Sequence, residues 1–285
     1  RQRQMCIRDS STPVQTKDFT FDLNINLSRN VSKVKELADG VDYLFFNGDA
    51  NFPINVGTRV GHRLGEIYAK NLYKRDENGN MIVNKQGRPT KVSGEDAFQY
   101  TLDHPIGNIE PDLLMSVSPS FTYKGFTLSA LFDMKFGGDI VSVSEAMATS
   151  TGLAARTANR GNAENGWKIV APGVTADGTV NSTAMNAQRY YTSMSGMAEE
   201  FVYDASFIKL KELSLGYSFP KSILKKTPLT SLNVAFVARN LAYLMKHTPG
   251  TSPEGGYDTS MFSQAIDYMS VPYTRTFGLS INLGF

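Results

Sequence analysis

Phe277, Leu279, Ile281, Leu283 and Phe285 alternate without error with Thr276, Gly278, Ser280, Asn282 and Gly284 at the end of the chain. A period of two puts the two sets on opposite faces of a β-strand. The run is about the ~9–11 residues a tilted strand needs to cross a bilayer. The same alternation recurs upstream. In Asp18–Ser28, Phe19, Phe21, Leu23, Ile25 and Leu27 share one face, and Asp18, Thr20, Asp22, Asn24, Asn26 and Ser28 share the other. In Leu113–Lys124, Leu113, Met115, Val117, Phe121 and Tyr123 oppose Ser116, Ser118, Ser120 and Thr122. In Phe126–Phe136, Phe126, Leu128, Ala130, Phe132, Met134 and Phe136 oppose Thr127, Ser129, Asp133 and Lys135, and Gly125 makes the hairpin before them tight. Asp204–Phe219 puts Leu213, Leu215, Tyr217 and Phe219 on one face with Lys209 and Lys211 earlier on it; Ser231–Leu241 groups Leu232, Val234, Phe236 and Ala238. Arg59–Tyr73 alternates weakly, and its glycines predict a bulge. Val41–Asn47 reads as a further short strand. The expectation is about seven main strands, with open edges at Asp18–Ser28 and Tyr273–Phe285 that invite pairing with other chains.

The connections sharpen this picture. From Leu113 onward they run short, long, short, long: Gly125, Gly137–Ala205, Pro220–Ser231 and Ala242–Pro272. In an up-and-down sheet alternate connections lie at the same end, so the long ones gather together, as in outer-membrane barrels. A soluble sandwich has no reason to segregate its loops in this way. Phe19, Tyr123, Phe126, Phe136, Tyr217, Phe219, Tyr273 and Phe285 fall near strand ends, which suits interfacial girdles. The expected fold is all-β, an antiparallel up-and-down portion of a transmembrane β-barrel with its long loops at one end. Alternation alone also fits a half-buried soluble sheet, so a soluble all-β carbohydrate-binding module stands as the alternative. Tyr73–Thr90, with Asn78-Gly79 and Gln86-Gly87, reads as a small hairpin off the main sheet. Gly137–Ala205 shows little period, and structureless stretches of that length inside a domain are usually functional.

Composition excludes more than it selects. The 285 residues are 41% hydrophobic and 20% charged, with a net charge of +2, which gives no argument for nucleic acid or an anionic surface. The mean hydropathy of −0.25 would suit a soluble chain, yet alternating barrel strands look soluble by this measure too. No apolar run approaches the ~18 residues of a membrane helix. Cys6 is the one cysteine, so no internal disulfide forms. Arg1–Ser10 lacks the apolar core of a signal peptide and reads as translated adapter sequence. Residues 1–17 are therefore set aside as an artefactual or disordered leader, and residues 18–285 are taken as the barrel portion.

Reactive constellations are sparse. His62, His104 and His247 are scattered without metal-ligand spacing. Asp76, Asn78 and Asn80 mimic the start of a calcium loop, but Met81 and Gly87 occupy its glycine and closing glutamate positions. Gly137-Gly138 opens no nucleotide-binding glycine motif, and Cys6 lies in the leader. No enzyme activity, metal or cofactor is expected. Trp167, Tyr190, Tyr191 and Tyr257 in the long loops are the candidates for binding a substrate or a partner; the plainer reading has them packing the loops onto themselves. Lys209 and Lys211 sit at a strand end where headgroup contact is one reading and simple exposure the other.

Several segments resemble a known family. FVYDASFIKLKELSLGYSFP (Phe201–Pro220), VARNLAYLMKHTPGTSPE (Val237–Glu254) and PYTRTFGLSINLGF (Pro272–Phe285) are similar to closing segments of SusC/RagA-type TonB-linked outer-membrane transporters. RLGEIYAKNLYKRDENGN (Arg63–Asn80) and FTYKGFTLSALFDMKFGGDI (Phe121–Ile140) fit as well, so the resemblance covers essentially Asp18–Phe285. It implies a plugged barrel of about 22 strands in the outer membrane of Bacteroidota-type bacteria, importing glycans or peptides. It also implies a SusD-like surface lipoprotein as lid, outer-membrane lipid around the wall, and energy from TonB through an N-terminal region with a plug. The chain shows neither plug nor TonB box, which makes it a C-terminal barrel fragment in this reading.

Overall fold

The alternating segments form one seven-stranded antiparallel sheet. The computed structural model describes residues 2–47, 53–257 and 263–285. Its wall strands are β1 (Gln2–Gln15), β2 (Phe19–Ser32), β3 (Leu113–Tyr123), β4 (Phe126–Phe136), β5 (Phe207–Ser218), β6 (Ser231–Lys246) and β7 (Thr276–Gly284). They lie side by side in chain order, an up-and-down meander. The pairing realises the period-two pattern across the whole wall. One cross-strand row runs Phe21, Phe121, Leu128, Leu215, Phe236, Leu279 over six strands. The Phe21 and Phe121 rings stack at 4.7 Å. On the opposite face the next rows carry Asp22, Ser120, Ser129 and Ser214, then Thr20, Thr122 and Thr127. Thr122 and Thr127 share a hydroxyl–hydroxyl hydrogen bond at 3.2 Å.

Short connections do close one end: residues 16–18, 124–125 and 219–230. Lys124 and Gly125 both have positive φ, 46° and 89°, the two-residue hairpin geometry whose twist matches the strands. Beside this end Phe19, Tyr123, Phe126 and Tyr217 occupy neighbouring positions on four strands, with Phe126 and Tyr217 at 4.5 Å and Tyr217 and Phe219 at 4.9 Å. Five of the eight aromatic residues expected in the girdle thus form one continuous band.

All three long connections, residues 33–112, 137–206 and 247–275, emerge at the other end. They fold into a body with its own core. Ile54, Val56, Ile67, Val141, Val143 and Ile266, drawn from all three, pack in one cluster. Met185, Tyr190, Tyr191, Met194 and Phe201 form a second. Among the described residues, only Phe207 and Ala238 of the buried apolar side chains belong to wall strands. The wall's apolar row is instead exposed from Phe121 onward, from 40% at Phe121 to 74% at Leu279, with Phe21 partly covered at its first strand.

Several expectations change. Arg59–Tyr73 is not a wall strand. Gly61 and Gly65, both at positive φ, make a hairpin turn between Ile54–Arg59 and Glu66–Ala69 in the loop body; the glycines mark a reversal of direction, where a bulge was expected. Tyr43–Asn47 pairs with Ile54–Arg59 in the same small sheet. Gly137–Ala205 is ordered: it holds α1 (Val143–Thr151) and α2 (Ala187–Met194). Both helices are too short to show a period, but each has a side-chain cap. The Ser142 hydroxyl accepts from the Glu145 amide at 3.1 Å and the Asn186 side chain from the Arg189 amide at 3.1 Å. β6 continues past Leu241 to Lys246, across a bulge where Asn240 takes φ 55°. Residues 258–262 of the Ala242–Pro272 loop lie outside the described residues. The segment set aside as a leader is drawn out as β1, which pairs with β2 and covers the edge expected at Asp18–Ser28. Its described side chains are all exposed, so the backbone ladder holds it.

The separation of wall from loop core has a measurable consequence. Phe201→Ala, at a fully buried position, is expected to cost the loop body about 3–5 kcal/mol. Amide hydrogen exchange should show the loss in 137–206 while protection of β3 and β4 is retained; equal loss in the wall would show that the two are one cooperative unit.

Candidate functional site

The surface at the long-loop end is held by ion pairs and hydrogen bonds, most of them within one connection. Arg156 is a hub of the second cluster. It donates to Glu200 Oε2 at 3.0 Å and to the Tyr203 hydroxyl at 2.7 Å, and its guanidinium lies 5.1 Å from the Phe201 ring centroid. Burial holds the Tyr203 hydroxyl proton up at about 12, so it stays neutral beside the cation. Glu66 holds a second junction, accepting from Tyr68 at 2.8 Å and pairing with His62 at 2.9 Å. Ser142 donates to Asp267 at 2.8 Å and ties the second long connection to the third. Asp76 Oδ1 accepts from the amides of Asn78 and Asn80, at 2.9 and 2.8 Å. The Asn80 side chain bonds the same carboxyl and lowers its pKa, a turn-building role for the calcium-like motif. His104 stacks on Tyr100 at 4.8 Å, and His247 lies 3.8 Å from Asp204.

Lys209 joins the loops to the wall. An extra residue in β5, Lys211, shifts the register between the Leu131–Glu212 and Phe132–Leu210 pairs. A bulge reverses the alternation beyond it, so Lys209 lies opposite Asp133 on the polar face, not on the apolar face with Leu213. It is buried, pairs with Glu254 at 2.6 Å, and has Tyr243 and Tyr273 around it at 5.1 and 4.6 Å from the ring centroids. Tyr243 also donates to Glu254. Lys211 reaches Asp133 at 2.6 Å on the same face. Both lysines therefore have acidic partners on the polar side of the sheet.

Two of the clefts in the body hold candidate residues. The first, about 730 Å³, is lined by Tyr243, Lys246, Tyr257, Asp267, Tyr268 and Tyr273. Tyr257 is half exposed and meets Tyr268 edge-on at 5.5 Å. The second, about 630 Å³, is lined by Thr149, Thr151, Arg160, Trp167, Gln188 and Tyr191 among others. Trp167 is 51% exposed there. Tyr190 and Tyr191 are buried, T-shaped to one another at 5.1 Å. The Tyr191 hydroxyl donates to the carbonyls of Arg156 and Asn159, both at 3.0 Å. Of the four aromatic candidates, Trp167 and Tyr257 face clefts, Tyr191 closes the floor of one, and Tyr190 packs the core. Sequence reading missed Glu254 and Tyr243, which meet only when the third connection folds against β6, and Arg160 and Thr149, which meet only when the second connection folds back on itself.

The fold and its loop-end body match known proteins. TonB-dependent receptor P3 of Formosa agariphila is 27% identical over 97% of this chain and 28% of its own length. TonB-dependent receptor SusC of Bacteroides thetaiotaomicron is 26% identical over 97% of the chain and 25% of its own length. The chain is similar in sequence to SusC-type TonB-dependent receptors. No protein-family model matches it. The solved RagAB peptide importer in its open-open state superposes over 100% of the chain and 28% of its own, with a TM-score of 0.64 at 20% identity. That likeness shows the fold: an antiparallel barrel wall with long loops at one end. The chain spans about a quarter of the length of these relatives.

The junction between wall and body carries a titrating group. Burial raises the Asp139 pKa, opposed by the Asn108 amide donating to its carboxylate at 2.8 Å. The folded chain thus holds this proton more tightly than the unfolded chain, and stability falls as pH rises from the ordinary aspartate value of about 3.9 through the raised folded one. Asp139→Asn is expected to flatten that fall in thermal unfolding followed upward from about pH 4. A slope unchanged by the substitution would reject Asp139 as its source.

Proposed function

We propose that the chain forms wall and outward loops of an outer-membrane, TonB-dependent nutrient importer, with TonB acting on a part of the transporter other than this wall. The observation that carries the reading is the exposed apolar row from Phe121 to Leu279, backed by a polar face and joined to a loop body that keeps the core for itself. Contiguous apolar surface of this extent is rare on a soluble monomer; in hydrocarbon it is the favourable arrangement, because every wall strand with two neighbours satisfies its backbone in the ladder. A soluble carbohydrate-binding sandwich would cover that face with a second sheet. Among the described residues the other sheets have two to four strands and are built from the long connections.

The cargo is a glycan or a peptide, and a SusD-like surface lipoprotein seats on the loop body, mainly on Gly137–Ala205 and Ala242–Pro272. The relatives named above and the cleft-lining aromatics support this. Gentle detergent extraction of the intact transporter, with the lipoprotein co-expressed, is expected to recover both together; clean isolation of the transporter alone would count against the lid.

Neighbouring residues on β7 test the wall itself. Cysteines at Leu279 and Ile281 are expected to react with a membrane-confined thiol probe, and cysteines at Ser280 and Asn282 are not. Leu279→Arg should cost about 2–4 kcal/mol, the penalty for a cation near mid-bilayer on a barrel's lipid face, and Ser280→Arg much less. Equal protection of all four positions, or aqueous labelling of the odd-numbered pair, would overturn the membrane wall.

A further inference from the structure

The Trp167 cleft has features that the packing of the loops leaves unexplained. The indole is half exposed although its backbone is clamped on both sides. The Trp167 amide donates to the Asn162 carbonyl at 2.8 Å, and its carbonyl accepts from the Ala187 amide at 3.0 Å. Its φ of 57° is an uncommon conformation for a residue with a side chain. The backbone is thus fixed at this position while the side chain is half exposed in the cleft. Thr149, also in the lining, is fully buried, and its hydroxyl has no hydrogen-bond partner among the described residues. A buried hydroxyl left unmatched is costly, so a group that enters the cleft and accepts or donates there is favoured. Arg160 is exposed in the same lining. Among the described residues no carboxylate pairs with it, and its Nη1 makes only a long contact of 3.5 Å to the Gly152 carbonyl.

These features select a ligand class. Among the described residues no aspartate or glutamate lines the cleft, so a cationic ligand finds no counter-charge there. The guanidinium and the hydroxyl call for an acceptor-rich, negatively charged ligand. The flat indole calls for a ring with an apolar face. A pyranose offers that face along its C–H bonds and a fan of hydroxyls at its edge, where Thr149, Thr151 and Gln188 stand. The lining comes mainly from the end of α1, the turn before Arg160 and the start of α2. It presents side-chain donors instead of a row of strand N–H and C=O groups, which favours a saccharide over an extended peptide. The volume, about 630 Å³, lies within the ~300–1,000 Å³ of small-molecule clefts.

We propose that this cleft binds an acidic saccharide, with a sugar ring on Trp167 and its carboxylate or sulfate on Arg160. The site deepens the importer reading and rests on it for the outward position of the loops. Trp167 is the one tryptophan of the chain, so its intrinsic emission reports this cleft directly. Tetragalacturonate, a sulfated galactose disaccharide, neutral maltotetraose and the acidic tripeptide Phe-Gly-Glu are titrated in turn against the full chain in neutral detergent. A saturable change in emission is expected with the acidic sugars, and the arm that binds more tightly identifies the anion as carboxylate or sulfate. Binding of maltotetraose should be about tenfold weaker or more, the weight of one charge-assisted hydrogen bond. Arg160→Gln, at an exposed position that leaves the fold intact, should remove that acidic preference and leave the maltotetraose response unchanged. Thr149→Val should weaken both responses. No saturable response to either acidic sugar, equal affinity for maltotetraose, or a response to the tripeptide alone would overturn the site. Lipid-phase labelling at Leu279 without a sugar response rejects the cleft and leaves the importer reading intact; failed labelling rejects that reading.

Discussion

A strand exposed to hydrocarbon has no water to take up its N–H and C=O groups, so each must find a partner on the next strand. In the membrane setting proposed above, that constraint organises this chain. The wall strands stand in sequence order, each interior one paired on both sides, and the pairing register decides which side chains share the apolar face. Because the side-chain period is two, a slip of one residue would turn every apolar position onto the polar face. The tight Lys124-Gly125 turn sets the register of β3 against β4, and the apolar row from Phe21 to Leu279 follows from it strand by strand. Pro119 has no N–H to donate, and the β3–β4 ladder skips from Ser120 to Val117 at that point while Pro119 still stands opposite Leu23.

With the wall's apolar side chains turned outward, burial in water falls to the long connections. Their core draws on all three, so the loops form one body at one end of the sheet. Charged groups inside it are matched: Arg156 with Glu200 and Tyr203, Glu66 with Tyr68 and His62, Lys209 with Glu254. Removing one partner of such a buried pair leaves a charge without compensation, which is far more costly than the pair's net worth. The surface at the loop end is therefore held by fixed geometry, and the clefts beside Tyr257 and Trp167 are part of it.

Bulges decide where chemistry appears on this scaffold. The extra residue at Lys211 carries Lys209 from the apolar face to the polar one, where Glu254, Tyr243 and Tyr273 enclose it. The bulge at Asn240 lets β6 run on to Lys246 and places Tyr243 at that junction. Neither shift carries a local signature strong enough to read in advance. Lysines at 209 and 211 simply continue an apparent alternation with Leu213.

What the sequence by itself determined was the wall. Period-two alternation in β2, β3, β4, β5, β6 and β7, the order of long and short connections, and the aromatic band at the short-turn end are all properties of near neighbours in the chain, where side-chain direction follows from position alone. The loop body was decided only by the tertiary structure. Its helices are of eight and nine residues, too short for a 3.6-residue period to stand out, and its hairpins depend on glycines at Gly61 and Gly65 whose backbone sign is invisible in composition. Tyr190 and Phe201 are core there, whereas Phe236 and Leu279 in the wall are surface, although all four are large apolar or aromatic residues. Which solvent a side chain meets depends on segments far apart in the chain coming together, and whether Thr149, Arg160 and Trp167 share one cleft depends on how the single connection 137–206 folds back on itself; no local pattern encodes either.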